Sequence, residues 1–408
     1  MNAKRLKANI EKLFELAPDE GGGATRLAYS PEEARAMLLV AEWLEEAGLL
    51  PRLDRFGNLW GLPPHEDGPI VTSGSHVDTV PNGGRYDGAL GTVLAIEIAA
   101  NLDGKFGVLV CAAEEAPRFG AGTLGSRQLV GKLSDEDLVS MRDADGVPAL
   151  EARSEYLKRL SSIPSLEDLD LLYRVAAHVE VHIEQRRSLK EQGASVGIAT
   201  TVAGPARYRF RFAGSTGHSG ETRMRERRDA LCAAAEVVLF VERLARKAAS
   251  TVATVGTVEV KPNALTAIPG EAGLGLDVRG TSAEEMESLI SKIMDSSQEI
   301  SQSRGVDFSA QELSLSGPTA LDERVVKLAE EIAHREHIPT VRCVSYAGHD
   351  AQHIAEKTPA ALMFVASSNG VSHAPEEDVD REDLKRACKM LAALLPELKR
   401  NHGGGVGR

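Results

Sequence analysis

The chain has 408 residues, enough at roughly 150 residues per domain for two or three domains with a full core. A formal net charge of −13 and a pI near 5.4, with basic residues dispersed rather than clustered, argue against non-specific binding to nucleic acid or to an anionic membrane. The four cysteines, Cys111, Cys232, Cys343 and Cys388, stand far apart without a C-x-x-C pair, so neither a disulfide framework nor a structural zinc knot is indicated. Met1 to Leu16 is charged throughout, and apolar runs such as Gly91 to Ala100 are short and interrupted by Glu97, so the expectation is a cytoplasmic protein without a membrane span.

In chain order, Ser30-Pro31-Glu32-Glu33 opens a helix in capping-box form and Gly48 closes it. Strand-like runs follow at Leu59 to Leu62, Ile70 to Ser73 and Gly107 to Ala113, with a helical run after Gly91. Strands alternating with helices predict an α/β layer fold. Between about 133 and 170 the pattern is charged and helical, and Val175 to Glu184 alternates as a further strand.

From about residue 206 the order changes to a strand (Tyr208 to Phe212), a long helix (Arg227 to Lys247), two strands (Thr251 to Val258 and Ala272 to Val278), a helix capped by Ser282 with Glu285, and a strand near Val306 to Leu313. This β-α-β-β-α-β order predicts a ferredoxin-like unit. After Gly317-Pro318 a helix from Asp322, strands at Val341 to Val344 and Ala360 to Ala366, and a helix from Arg381 resume the first pattern. The expected organisation is therefore a discontinuous α/β domain over 1–205 and 318–408 with an inserted unit over 206–317; Gly403 to Gly405 reads as a loose tail.

The chemistry gathers where strands end. Gly74-Ser75-His76-Val77-Asp78 follows an apolar strand and runs through Gly83-Gly84-Arg85-Tyr86-Asp87-Gly88. Imidazole and carboxylate together suit a borderline cation, and the glycines let the backbone fold back so that His76 and Asp87 converge as ligands. Asp78 is spaced to accept the other ring N–H of His76, which fixes the tautomer. The strand ending at Ala113 runs into Glu114-Glu115; one carboxylate can bind metal while the other takes a proton from water, although such a pair standing alone also reads as a solvated acidic turn. Period two puts His178, Glu180, His182 and Glu184 on one strand face, with His182 the chosen ligand, and His373 follows another apolar strand.

These stretches, with Arg118-Phe119, His182-Ile183-Glu184-Gln185, Gly217-His218-Ser219-Gly220, Arg228-Asp229-Ala230, Pro262-Asn263-Ala264, Ile268-Pro269-Gly270, Asp277-Val278-Arg279, Gly348-His349-Asp350-Ala351 and Ser372-His373-Ala374-Pro375-Glu376-Glu377, resemble the signature blocks of the hydantoinase/carbamoylase-type amidohydrolases. That family contains N-carbamoyl-L-amino acid amidohydrolases, β-ureidopropionases and allantoate amidohydrolases, and belongs with the carboxypeptidase G-like and aminoacylase-like dinuclear metallohydrolases. The resemblance runs from Gly23-Ala24-Thr25-Arg26 to Glu377.

The resemblance implies one divalent ion (zinc, manganese or cobalt) on His76, Asp87 and His182 and a second on Asp87, Glu115 and His373, with Asp87 bridging. It implies Glu114 as general base and His218 as oxyanion donor, reaching the site of a neighbouring subunit in a homodimer. Arg279 would grip a substrate carboxylate, Gln185 would contact the scissile group, and Asn263, Thr266 and Tyr346 would line the substrate. Without the resemblance, Arg279 reads as a surface ion pair at a strand end. The inserted unit would dimerise the protein and act as a lid, hinged near Gly204 and Gly317. Departures from the family pattern fall around the substrate: Arg186 and Tyr346 where glycines are usual, Glu221-Thr222-Arg223-Met224 for T-T-P-M, and Thr266 for the second Asn of P-N-A-x-N. The expected activity is hydrolysis of a linear amide or ureido C–N bond, with an N-acyl amino acid or dipeptide hydrolase as the alternative enzyme and a metal-retaining binding protein as the alternative class.

Overall fold

The computed structural model describes residues 3–64, 68–102, 105–167 and 171–402, so the expected tail at Gly403 to Gly405 lies outside the described residues. The chain divides into two compact units, one of Met1–Thr200, Ala320–Cys343 and Gly348–Arg408, the other of Thr201–Thr319 with Val344–Ala347. The expected limits of 206 and 317 therefore fall inside the second unit, and Tyr346, expected in the larger domain, belongs to the smaller. No helix among the described residues is long and apolar enough to cross a membrane.

In the first unit four strands run parallel through the middle of a mixed sheet, in the order Gly107–Cys111, Ile70–His76, Val175–Ile183 and Ala360–Val365. They are flanked by the antiparallel strands Leu59–Leu62, outside Gly107–Cys111, and Val196–Val202, outside Ala360–Val365. Every residue of Gly107–Cys111 and Ala360–Val365 is buried, which is why they read as unbroken apolar runs rather than alternating ones. The helix Ala89–Asn101 is apolar all round because it lies on the strand Ile70–His76 beneath the terminal helices Ala3–Glu15 and Arg381–His402. Glu97, which interrupts its apolar run, is buried and accepts from Arg5 Nε at 2.7 Å.

The helix after Ser30 spans Pro31–Glu46, with Gly48 at φ 78° beyond its end. Ser30 Oγ accepts the Glu33 N–H, but Glu33 does not return the bond to Ser30 as a full capping box would. Its buried carboxylate accepts instead from the N–H of Tyr29 (2.5 Å) and of Ala113 (2.9 Å), tying the helix to the end of the strand Gly107–Cys111. The short strand Leu50–Leu53 and the strand Val196–Val202 escaped the sequence reading. The first contains Pro51 and pairs at the sheet edge; the second is a short run interrupted by Gly197.

The second unit has the strands Gly204–Ala213, Thr251–Lys261, Glu271–Gly280 and Asp307–Leu315 and the helices Ala230–Ala245 and Ala283–Ser303. Its antiparallel sheet runs Asp307–Leu315, Gly204–Ala213, Glu271–Gly280, Thr251–Lys261. Ala206, Phe210, Phe212, Leu274, Leu276 and Val278 alternate inward against Val237, Val241, Leu289 and Ile293 of the helices, leaving the other sheet face open. The first helix starts at Ala230 rather than Arg227 because the Asp229 side chain accepts the Cys232 N–H at 3.1 Å and caps it there.

Candidate active site

The carboxyl ends of the four parallel strands deliver the expected cluster. His76 closes Ile70–His76, His182 is the penultimate residue of Val175–Ile183, and Glu114 and His373 follow the other two strands. Their ligand atoms form two groups that share Asp87: His76, Asp87 and His182, and Asp87, Glu115 and His373, with all atoms of a group within 4.8 Å. Asp87 Oδ1 lies 3.0 Å from His182 Nε2 and 3.5 Å from His76 Nε2, whereas Asp87 Oδ2 lies 3.4 Å from His373 Nε2, itself 3.4 Å from Glu115 Oε1. Two ligands of a tetrahedral ion with ~2.1 Å bonds stand roughly 3.4 Å apart, so these spacings suit one cation on each side of Asp87. His76 Nε2 is buried and finds no hydrogen-bond partner among the described residues, as a nitrogen reserved for a cation would be.

Four consecutive amides at the end of the strand Gly107–Cys111 are held by side chains. Ala112 N–H donates to Asn58 Oδ1, Ala113 N–H to Glu33, and the N–H groups of Glu114 and Glu115 to the two oxygens of Asp78, at 3.1 and 2.9 Å. This grip holds Ala113 at φ 55° and turns the adjacent carboxylates apart, Glu115 into a ligand group and Glu114 outside both, its Oε2 3.8 Å from His76 Nε2. Asp78 also stands where the spacing predicted, its Oδ1 3.3 Å and its carbonyl oxygen 3.2 Å from His76 Nδ1. Gly88, at φ 63°, closes the turn, and a Cβ there would come within 2.4 Å of the His76 ring. The strand face of His178, Glu180, His182 and Glu184 is buried throughout. Glu180 accepts from Ser75 Oγ and from the Ala351 N–H, and the His349 ring meets His182 edge-on at 4.6 Å.

The charges are strongly coupled. Burial pushes Glu114 well above the usual carboxylate range, reinforced by Glu115 and opposed by His76. Burial and the neighbouring Asp87 charge raise Glu115 to about 7. Burial would raise Asp87 too, but His182, His373 and His76 hold it well below its ordinary value, and its hydrogen bond raises His373 to about 9. Carboxylates pushed upward and histidines pushed upward at one buried site hold protons that bound cations would displace.

The remaining predicted residues belong to the second unit, except Gln185, half-buried three residues beyond His182. His218 is exposed on a two-stranded pairing with Ala267, and its Nδ1 accepts the N–H groups of Gly220 (3.1 Å) and Glu221 (3.3 Å). The ring proton is thereby assigned to Nε2, leaving that nitrogen a donor. Arg227 braces the same turn through the carbonyls of Ser219 and Thr222, and the Thr266 carbonyl accepts the Ser219 N–H at 3.0 Å. Arg279 donates to Asp277 Oδ2 at 2.8 Å and to the Tyr346 carbonyl at 2.9 Å, so it does make the strand-end ion pair. Asn263 is exposed at φ 52°. Sequence reading missed Asn58 and Glu377, saw in Glu33 only a cap and passed over Glu180 for His182, because a carboxylate or amide that binds remote backbone leaves no local pattern.

Residues 73–397 match the peptidase family M20/M25/M40. The chain belongs to that family. An N-carbamoyl-L-amino-acid amidohydrolase of Pseudomonas sp. (strain NS671) is 34% identical over 402 residues, covering 96% of this chain and 97% of the relative. A ureidoglycolate hydrolase of Arabidopsis thaliana is 32% identical, covering 98% of this chain and 87% of its own. Among solved structures, an amidase of the hydantoinase/carbamoylase family from Burkholderia multivorans aligns with TM-score 0.85 at 28% identity, over 97% of this chain and 98% of that one. The M20 membership and the hydantoinase/carbamoylase neighbour agree with the resemblance drawn from the motifs.

Proposed function

We propose that this M20 protein is a two-metal hydrolase that cleaves the ureido C–N bond of an N-carbamoyl amino acid or related ureido acid. The observation that carries this reading is Asp87 turning one oxygen to each of two histidine–carboxylate groups, with Glu114 free beside them. His76, Asp87 and His182 would hold one divalent ion and Asp87, Glu115 and His373 the other; zinc, manganese and cobalt all suit nitrogen and carboxylate donors. When bound, the ions would supply Lewis acidity toward water and toward the substrate carbonyl.

Glu114 takes the proton of the attacking water as its oxygen bonds to the ureido carbon, and returns that proton to the departing nitrogen as the C–N bond breaks. His218 donates from Nε2 to the oxyanion, an assignment supported by the two amides on Nδ1. Arg279, steadied by Asp277 and the Tyr346 carbonyl, presents its remaining N–H edge to a substrate carboxylate, and Gln185, Asn263, Thr266 and Tyr346 complete the substrate contacts. The second unit serves as a ferredoxin-like lid and dimerisation domain, in a cytoplasmic homodimer whose partner subunit supplies the histidine. The ureido group named in both relatives supports the substrate class.

The test is a screen of N-carbamoyl amino acids, ureido acids, N-acyl amino acids and dipeptides with each metal, scored by ammonia and amine release. Ammonia with free amine from the ureido substrates is expected. Turnover confined to N-acyl amino acids or dipeptides replaces this reading with the acylase one, and no turnover by the fully loaded protein replaces it with a binding protein.

A further inference from the structure

Glu377 lies outside both ligand groups, yet it is only 3% exposed and its carboxylate is committed to backbone. Its Oε1 accepts the N–H of His373 at 3.0 Å, and its Oε2 accepts those of Tyr86 at 3.1 Å and Asp87 at 3.2 Å. One side chain thus joins two loops far apart in sequence, each of which ends in a residue of the Asp87–Glu115–His373 group. The seat is shaped for it: a Cβ on Gly84 would come within 2.1 Å of Glu377 Oε2.

The two groups depend on this tether unequally. His76 and His182 sit on neighbouring parallel strands whose register, Gly74 opposite Glu180, fixes them without help from Glu377. Asp87 is placed as well by the start of the helix Ala89–Asn101, where the Leu90 N–H bonds the carbonyl of Tyr86. His373 has no strand beneath it. It lies in the loop after Val365, exposed, in the left-handed region at φ 59°, with its amide on Glu377. A non-glycine residue stays in that conformation only where its surroundings hold it.

We infer that Glu377 is a positioning residue for the second metal ion alone: together with Ser372 Oγ, which donates to Asp87 Oδ2 at 3.1 Å, it holds the His373 loop against the Asp87 loop, so the Asp87–Glu115–His373 site loosens when its carboxylate no longer spans the two. The inference rests on the two-metal reading above. Glu377→Gln keeps the size of the side chain but cannot accept with both terminal atoms, so either the His373 amide or the Tyr86 and Asp87 amides lose their partner.

The test titrates Zn²⁺ into the metal-stripped full chain by calorimetry, with thermal unfolding recorded for every variant. Wild type is expected to take two ions. Glu377→Gln is expected to keep the first within about twofold and to bind the second at least about tenfold more weakly, with kcat recovering as Zn²⁺ is raised. Two ions at wild-type affinity, or equal weakening of both, overturns the inference and leaves the two-metal reading standing. A wild type that binds no Zn²⁺ overturns that reading and this inference with it. If Glu377→Gln fails to fold, Gly84→Ala decides in its place, because it displaces the same carboxylate: selective loss of the second ion supports the tether, and unchanged binding overturns it.

Discussion

The strand-end cluster and the turn that carries His218 use the same kinds of residue and are built in opposite ways. In the cluster, His76, Asp78, Asp87 and His182 are buried, and strand register together with carboxylates bonded to backbone amides fixes each of them. Around His218 the supporting groups are main-chain amides and one arginine, and His218, Asn263, Thr266, Glu221 and Arg223 are all exposed. Buried charge tolerates little change, since removing one partner strands the others, whereas an exposed substitution carries a small stability cost. The departures from the family pattern at Arg186, Glu221, Arg223 and Thr266 fall on exposed positions, and the fifth, Tyr346, is half-buried. The difference teaches that the candidate metal ligands are fixed by burial and register, whereas the four exposed departures stand where a substitution costs the fold little.

Breaking the cluster has the largest expected effect. Asp87→Ala removes the carboxylate shared by both groups and is expected to lose both ions and all measurable activity, whereas Glu114→Gln is expected to keep both ions and lose about 10²–10⁴-fold in kcat, because an amide cannot accept the water proton. Metal content and kcat measured on the same preparations decide it; activity near wild type in Glu114→Gln removes Glu114 from the mechanism.

Breaking the exposed side is expected to cost less. His218→Ala leaves both ions in place and is expected to lower kcat by about 10²–10³-fold, the usual loss for one oxyanion donor. Mixing Glu114→Gln subunits with His218→Ala subunits then asks where the histidine acts. Recovered activity in verified heterodimers is expected, and none would mean that each chain completes its own site.

The same contrast explains what sequence could reveal. Strand ends and donor types singled out His76, Asp87, the Glu114-Glu115 pair, His182 and His373, and the fold gathers them; which glutamate joins a ligand group came from the resemblance, not from the spacing. Helix starts at Ser30 and Ser282 were legible from their caps, each of which accepts a backbone N–H three residues on. Illegible were the residues that act across the fold. Glu33 looks like half of a capping box but serves Ala113, and nothing in Pro375-Glu376-Glu377 announces that Glu377 serves Asp87. Tyr346 reads as bulk in a pocket, whereas its carbonyl holds Arg279 and its hydroxyl meets the Ser250 carbonyl.

Burial on the strand face also has a consequence for stability. Burial depresses His178, whose Nδ1 lies 2.9 Å from Thr72 Oγ1, to about 3. With an unfolded value near 6.5, protonation favours the unfolded chain, so this contribution is complete above about pH 6.5 and is lost as pH falls toward 3. Between pH 7 and pH 5 that amounts to about 2 kcal/mol. His178→Gln should therefore lose less stability over that interval than wild type, measured by urea unfolding of metal-stripped protein; an identical pH slope in the two proteins removes His178 as a source of acid sensitivity.

The smallest effects sharpen the substrate side. Arg279 is already bonded to Asp277 and Tyr346, so only its remaining edge is available to a ligand. A charge-assisted hydrogen bond is worth roughly 1.5–3 kcal/mol, so Arg279→Ala is expected to lower kcat/KM at least about tenfold, mainly through KM, with metal content unchanged. Thr266 stands beside the His218 turn and offers a hydroxyl where the family usually offers an amide. Thr266→Asn restores one neutral donor, worth roughly 0.5–1.5 kcal/mol, so it is expected to raise kcat/KM for simple N-carbamoyl α-amino acids about two- to tenfold relative to ureido acids with a second polar group. The comparison is made on both substrate types with wild type and variant side by side. If simple N-carbamoyl amino acids are already the best substrates and Thr266→Asn leaves the ratio unchanged, the exposed departures have no bearing on specificity and the contrast between the two regions is one of burial alone.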